Sequence, residues 1–314
     1  MRRTSRLTIP AVALAAGLMM APGPVYTQAG YVPLRVYVSQ TKQFADLETL
    51  AAVATKADVV FVGEQHDDVN THRLERMLLE ALKRRRGDVV LALEMFERDV
   101  QEPLAHFSMG HMDEAEFLAQ ARPWPQYARD YKPLVDFAIA NDWSVVASNV
   151  PRDIAAAVSK SGLDALKTRP EAERAWFARD LQCAPEGRYF TRFREAMTGH
   201  DKSGPSFDAA TMGSYYASQC LKDETMAESI AQAYAAGSIG GKRPLVVSIN
   251  GTFHSDYGGG TVERTRRRLP GKRVIVVTMI PVGDLDTIKP DKDTRERGDY
   301  LVYTVADRKT GSPR

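Results

Sequence analysis

Cysteine is scarce in this 314-residue chain, with Cys183 and Cys220 the only two. An even count permits one bridge in an oxidising compartment, and two buried free thiols fit it nearly as well. No cysteine lies in the first 29 residues, so a lipid-anchored form is not supported. A basic excess is missing too. Residues 1–29 carry Arg2, Arg3 and Arg6 and no acids, so their removal takes the formal charge from +2 to −1. Such a balance argues against nucleic acid as a partner, because phosphate binding needs a clear surplus of Lys and Arg. The clusters Lys83–Arg86 and Arg264–Arg268 read instead as solvated helix ends. Nor does any G-x-G-x-x-G, Walker loop, G-x-S-x-G or H-E-x-x-H stand at the strand ends described below, which disfavours nucleotide binding, serine hydrolysis and a standard zincin.

What is present at the start is a leader. Three arginines precede an apolar run from Leu7 to Pro22 that is too short and too interrupted by proline to span a bilayer comfortably. This reads as a secretory signal peptide covering residues 1–29, with cleavage expected after Thr27-Gln28-Ala29. The remainder, 44% hydrophobic and 26% charged over the whole chain, has the composition of a globular α/β protein rather than a fibrous or disordered one. Residues 30–306 read as its domain, and 307–314 as a loose tail.

The organising stretch is ADVVFVGEQH, Ala57 to His66. Val59-Val-Phe-Val62 is short and rich in β-branched residues, so it predicts a buried strand. Gly63 ends it, and Glu64, Gln65 and His66 fall at its carboxyl end, where open α/β sheets hold ligands. The arrangement recurs at Leu245–Ile249, followed by Gly251-Thr-Phe-His254. Further strands are predicted at Val89–Phe96 and Ser144–Val150, both closing on polar residues, and at Val274–Ile280. Val32–Ser39 reads as an edge strand or extended arm, and Tyr300–Val305 as a last edge strand, with an antiparallel direction open to it. Helices are predicted at Asp46–Thr55, Thr71–Arg86, Gln101–Gln120 and Leu134–Asn141. From about 154 to 240 the signal is helical only, including Glu171–Leu181 and a long helix near Ala210–Ala235. The fold class is therefore α/β, a mostly parallel central sheet flanked by helices, with an inserted helical subdomain.

Glu64 and Glu94 sit in or beside apolar runs, and a buried carboxylate must be paired, protonated or bound to a cation. With His66 and His254 they compose a plausible divalent-metal set, or an acid and base set. His72, His106, His111 and His200 have polar neighbours and read as surface residues. Trp124, Tyr127, Tyr131 and Tyr257 offer flat apolar surface and phenol oxygens, and a phenolate is a known axial ligand of ferric haem. Arg98 and Arg152 could meet ligand carboxylates bidentately.

With these residues in hand, the chain resembles the ChaN-like haem-binding uptake family, in the superfamily that includes the Tiki and TraB proteins. The resemblance runs from about Ala57 to Val282. It rests on DVVFVGEQHDD, LALEMFERD, PWPQYARDYKPLVDFA, VVASNVPRDI, CLKDETMAESI and INGTFHSDYGGG. It implies an exported protein of haem and iron acquisition, periplasmic here for want of a lipobox cysteine. It also implies haem held between the protomers of a homodimer, a tyrosine on iron, a histidine near the propionates, and an outer-membrane haem receptor or transporter as partner. The second motif, Asn250 to His254, is one residue longer than the family's usual G-N-G-H. The iron-binding tyrosine matches no single position, so Tyr127, Tyr131, Tyr215, Tyr216 and Tyr257 all stand as candidates. The wider superfamily also implies an alternative, a divalent-metal-dependent hydrolase built on Glu64, His66, Glu94 and His254.

Overall fold

A computed structural model describes residues 32–199 and 206–307. The expected signal peptide, His200 and the residues from 308 onward lie outside the described residues. In chain order the elements are β1 Leu34–Val38, β2 Gln43–Ala45, α1 Leu47–Ala54, β3 Val59–Glu64, α2 Val69–Lys83, β4 Val89–Glu97, α3 Gln101–Ser108, α4 Glu114–Ala121, α5 Tyr127–Asp130 and α6 Lys132–Ala140. They continue with β5 Ser144–Asn149, α7 Arg152–Ser161, α8 Gly187–Thr198, α9 Ala209–Gly237, β6 Leu245–Gly251, α10 Gly260–Arg268, β7 Val274–Val282, α11 Lys292–Glu296 and β8 Tyr300–Val305.

One eight-stranded sheet runs in the order β2-β1-β8-β7-β3-β6-β4-β5. From β8 to β5 every pairing is parallel, while β1 runs antiparallel to β8 and β2 antiparallel to β1. The central strands are apolar on both faces because helices cover both. In β3, Val60 and Val62 join the core under α1, α2 and α6. Val59 and Phe61 point the other way, onto Ile230 and Tyr234 of α9 and Val262 of α10. This alternation is the two-residue period of a strand.

Short polar residues start several of the helices. Asp46 accepts from the Thr49 amide at the head of α1, Asp68 from Thr71 at the head of α2, and Asp208 from Thr211 at the head of α9. At α4, Asp113 and Glu116 form a reciprocal capping box. Between β5 and β6 every described element is helical. Within it Glu171–Trp176 is only a 3-10 turn, while α9 packs along α7, α10 and β5.

Three expectations need correction. Tyr300–Val305 is not an edge strand, because β8 lies inside the sheet, parallel to β7 and flanked on its other side by β1. Val32–Ser39 is not the edge strand either, because β1 lies between β8 and β2, and β2, the true edge, has three residues, too few to show a period. Arg264–Arg268 is a solvated helix end only in part: Arg266 is exposed, but Arg264 is 5% exposed, and Arg267 and Arg268 both donate to the fully buried Glu224. Lys83–Arg86 does face solvent, with Arg84 on Glu48 and Arg86 on Asp88.

Candidate functional site

The strand order puts β6 between β3 and β4. Glu64, the last residue of β3, lies beside Gly251, the last of β6, and Leu93 of β4 lies beside Ile249. Both G-x-x-H segments, 188 residues apart, therefore leave the sheet at adjacent points on one carboxyl edge, with Glu94 next to them. Gly63 allows the two segments to touch, since a Cβ there would meet Ser255 Oγ at 2.7 Å and Thr252 Cα at 3.2 Å.

Two carboxylate and imidazole pairs result. In the first, Glu64 Oε1 lies 2.6 Å from His66 Nδ1 and accepts the Tyr131 hydroxyl at 2.5 Å. Glu64 is buried, whereas the His66 side chain is 39% exposed and rests edge-on against Trp124. In the second, Glu94 Oε2 accepts the Gly251 amide at 2.7 Å and Oε1 lies 3.4 Å from His254 Nε2. The other ring nitrogen, His254 Nδ1, lies 2.7 Å from Asp223 Oδ1. Asp223 also accepts the Thr261 hydroxyl at 2.8 Å and the Tyr189 hydroxyl at 2.6 Å.

Burial opposes charge on both histidines, but their carboxylate partners outweigh it. Glu94 and Asp223 push His254 up to about 10, and Glu64 and Glu94 raise His66. Burial would raise Glu94, yet His254, His66 and the Gly251 amide hold it at about 2. Glu64 is likewise lowered against its burial by His66 and His72. The site thus stores charge of both signs in a buried setting. It can orient an imidazole, accept or donate a proton, or hold a cation.

The other candidates fall elsewhere. Tyr131 is spent on Glu64, and Tyr127 is core, packed on Phe96 and Phe117 with its phenol raised first by burial. Arg98 is held by Ser229, Glu228 and the Thr225 carbonyl of α9. Arg152 pairs with Glu97 at 2.8 Å on the far side of β4. Tyr215 packs on Phe207. Tyr257 follows His254 in a left-handed conformation, φ 61°, and its hydroxyl donates to Asp293 at 2.6 Å.

Tyr257 lines a cavity of about 850 Å³ together with Tyr189, Tyr216, Arg188, Arg192 and Arg264. The Arg188 and Arg192 guanidinium carbons stand 4.1 and 4.2 Å from the centre of its ring. Because Tyr189 is also bonded to Asp223, the cavity wall is tied directly to His254.

Several of these residues escaped the sequence. His72 is not a surface residue: it is 3% exposed, on an α2 stripe with Glu75, Leu79 and Leu82. His106 and His111 are exposed as expected. Asp223 and Tyr189 carried no strand-end signal, and the buried acid inside CLKDETMAESI was the one available clue. Cys183 and Cys220 form a disulfide with Cα atoms 5.6 Å apart. No described helix is long and apolar enough to cross a membrane.

Comparison with known proteins agrees with the architecture. The chain has the fold of a solved structure described as cofacial haem binding to ChaN of Campylobacter jejuni, with a TM-score of 0.65 at 16% identity, covering 86% of this chain and 96% of that one. It is 29% identical over 270 residues to Protein RETICULATA-RELATED 5, chloroplastic, from Arabidopsis thaliana. That match covers 80% of this chain and 34% of the plant protein, so the chain spans about a third of its curated relative. The family described as haem-binding uptake, Tiki superfamily, ChaN matches residues 50–265, well over half of the sequence, and the chain belongs to it.

Proposed function

We propose that this protein captures haem in the cavity beside His254, as part of haem and iron uptake outside the cytoplasm. The observation that carries the reading is the lining of that cavity: arginines and tyrosines around about 850 Å³, at the carboxyl edge of the sheet. Ligand pockets commonly run from about 300 to 1,000 Å³, so the volume suits a porphyrin. Arg188 and Arg192 suit propionates, which guanidinium groups bind bidentately. A tyrosine oxygen suits ferric iron.

Tyr257 is the tyrosine this reading favours. Its hydroxyl is not locked in the core, as those of Tyr127 and Tyr131 are. Burial and Asp293 push its phenol up to about 12, so iron binding there must displace a proton. His66, with Nδ1 on Glu64 and a half-exposed ring, suits contact with a propionate or with iron-bound water.

Export from the cytoplasm belongs to the same proposal, and the Cys183–Cys220 disulfide supports it, since such bonds persist in oxidising compartments. A periplasmic homodimer that passes haem to or from an outer-membrane receptor or transporter completes it. Absorbance titration of the chain with haemin tests the reading, beside Tyr257→Phe, Arg192→Ala and a His66→Ala, His254→Ala double variant. Saturable binding with a high-spin ferric tyrosinate-like spectrum, lost in Tyr257→Phe and weakened in Arg192→Ala, is expected. No saturable binding by the parent chain overturns it. Light scattering with and without haemin reads the dimer.

A second reading is a divalent-metal-dependent hydrolase using Glu64, His66, Glu94 and His254. It is favoured by one observation, that Nδ1 of each histidine is held by a buried carboxylate, as in hydrolytic sites that orient an imidazole. Chelator-sensitive esterase or peptidase turnover, lost in Glu94→Gln, distinguishes it.

A further inference from the structure

The helix after the first G-x-x-H brings a second buried group against the sheet edge. His72 and Glu75 stand one turn apart on α2 and meet Glu64 at the end of β3. All three are at least 97% buried, and one ligand atom from each can be chosen so that all lie within 4.8 Å of one another. His72 Nδ1 is 3.0 Å from Glu75 Oε2 and 3.6 Å from Glu64 Oε2. Two ligands bonded at about 2.1 Å to one ion stand roughly 3 to 4 Å apart, so the spacing fits.

Two oxygens in this group are left over. Neither Glu64 Oε2 nor Glu75 Oε1 has a hydrogen-bond partner among the described residues. Buried carboxylate oxygens are costly to leave that way. The surroundings are already committed: His66 and Tyr131 occupy Glu64 Oε1. On the far side of the ring, His72 Nε2 lies 3.1 Å from the His66 carbonyl and 3.7 Å from Asp130 Oδ2. That arrangement draws the ring proton to Nε2 and turns the Nδ1 lone pair toward the two glutamates, the pattern by which outer partners orient a metal-binding histidine.

We infer that Glu64, His72 and Glu75 hold a divalent first-row cation, Mn2+ or Zn2+ in class, enclosed between α2 and β3, through the Glu64 oxygen that faces away from His66, so that the site adjoins the His66, Glu94 and His254 constellation and shares Glu64 with it. One imidazole and two carboxylates form a hard-to-borderline donor set whose charge of −2 the ion cancels. Because the group is enclosed, the ion is structural. It pins α2 to the sheet edge and fixes Glu64, and through Glu64 the ring of His66. The metal-free alternative is a proton shared by Glu64 and Glu75 beside a charged His72.

The test uses the full chain, stripped with a chelator, dialysed and titrated with Mn2+ or Zn2+. Metal content is read by mass spectrometry, thermal unfolding is followed, and pulsed electron paramagnetic resonance counts imidazole nitrogens on bound Mn2+. A His66→Ala, Glu94→Gln, His254→Ala variant removes the other constellation, and Glu75→Gln removes one ligand at nearly constant shape. One ion per chain is expected, with a raised Tm and one nitrogen coupling that survive in the triple variant and vanish in Glu75→Gln. Absence of a stoichiometric ion, or loss of the nitrogen coupling in the triple variant, overturns the inference even if Glu75→Gln does not fold. Haemin titration of the same samples keeps this outcome separate from the haem reading.

Discussion

His66 Nε2 stands 2.6 Å from the point a Cβ on Gly251 would occupy, so the ring of the first motif lies directly on the backbone of the second. The contact exists because β3 and β6 are paired in parallel with Glu64 opposite Gly251. It makes the missing side chain of Gly251 part of the site.

Gly251 has φ −56°, which any residue adopts, so Gly251→Ala strains no backbone. The added methyl instead expels a half-exposed ring toward solvent, away from Glu64 and Glu94. The expected cost in stability is about 1–3 kcal/mol, because the displaced ring leaves the buried Glu64 Oε1 with the Tyr131 hydroxyl as its remaining donor. The raised imidazole pKa of His66 is expected to fall toward its ordinary value as those carboxylates are lost. Proton NMR titration of the histidines checks this, and an unmoved His66 resonance would count against the contact.

The Cys183–Cys220 bridge, at a sequence separation of 37, closes a loop that includes α8, and α8 supplies Arg188, Tyr189 and Arg192 to the cavity. Chain entropy alone assigns such a loop roughly 4 kcal/mol of stabilisation. A Cys183→Ser, Cys220→Ser double variant is therefore expected to unfold at a clearly lower temperature, and to bind haemin more weakly because one cavity wall loosens. Calorimetry and haemin titration under reducing and non-reducing conditions measure both. Equal affinity in the two forms would detach the bridge from the cavity.

Removing the Tyr131 hydroxyl takes away one of two donors on Glu64 Oε1 and leaves the buried carboxylate under-satisfied. Tyr131→Phe is expected to cost about 1–3 kcal/mol, the usual penalty for a buried acceptor that loses its donor. Urea unfolding reads it directly. A neutral result would mean that His66 alone satisfies the oxygen.

How much of this was legible in the sequence follows from what each residue touches. The central strands were visible because helices bury both of their faces, which leaves uninterrupted apolar runs such as Val59–Val62. The strand-end residues Glu64, Glu94, His66 and His254 were visible because polar groups end those runs. β2 was not, since three residues carry no period. His72 and Glu75 were hidden because they put polar side chains on the buried stripe of α2, where periodicity expects apolar ones. Asp223 lies 31 residues before His254 on a different element, and nothing local in α9 says that its carboxylate will meet that ring. Arg264 looked solvated because the acid that buries its cluster, Glu224, comes from α9 as well.

Asp58, just before β3, offers a pH test away from the site. It is 2% exposed and accepts from Tyr234 at 2.8 Å, from Arg243 at 2.7 and 2.9 Å, and from the Arg273 amide at 2.7 Å. Burial alone would raise its pKa, but the Arg243, Arg273 and Tyr234 donors outweigh it and hold the carboxyl well below the ordinary value of 3.8. A folded pKa below the unfolded one means the unfolded chain binds the proton first on acidification. The stabilisation is then complete above about pH 4 and drains away as pH falls toward the folded value. Asp58→Asn is expected to lose about 1–3 kcal/mol at pH 7, because three donors then face a neutral amide. The gap between parent and variant should narrow as pH drops below 4. Urea unfolding of both at pH 7, 5, 4 and 3 traces it, and a gap that stays constant over that range would show that Asp58 acts by shape and not by charge.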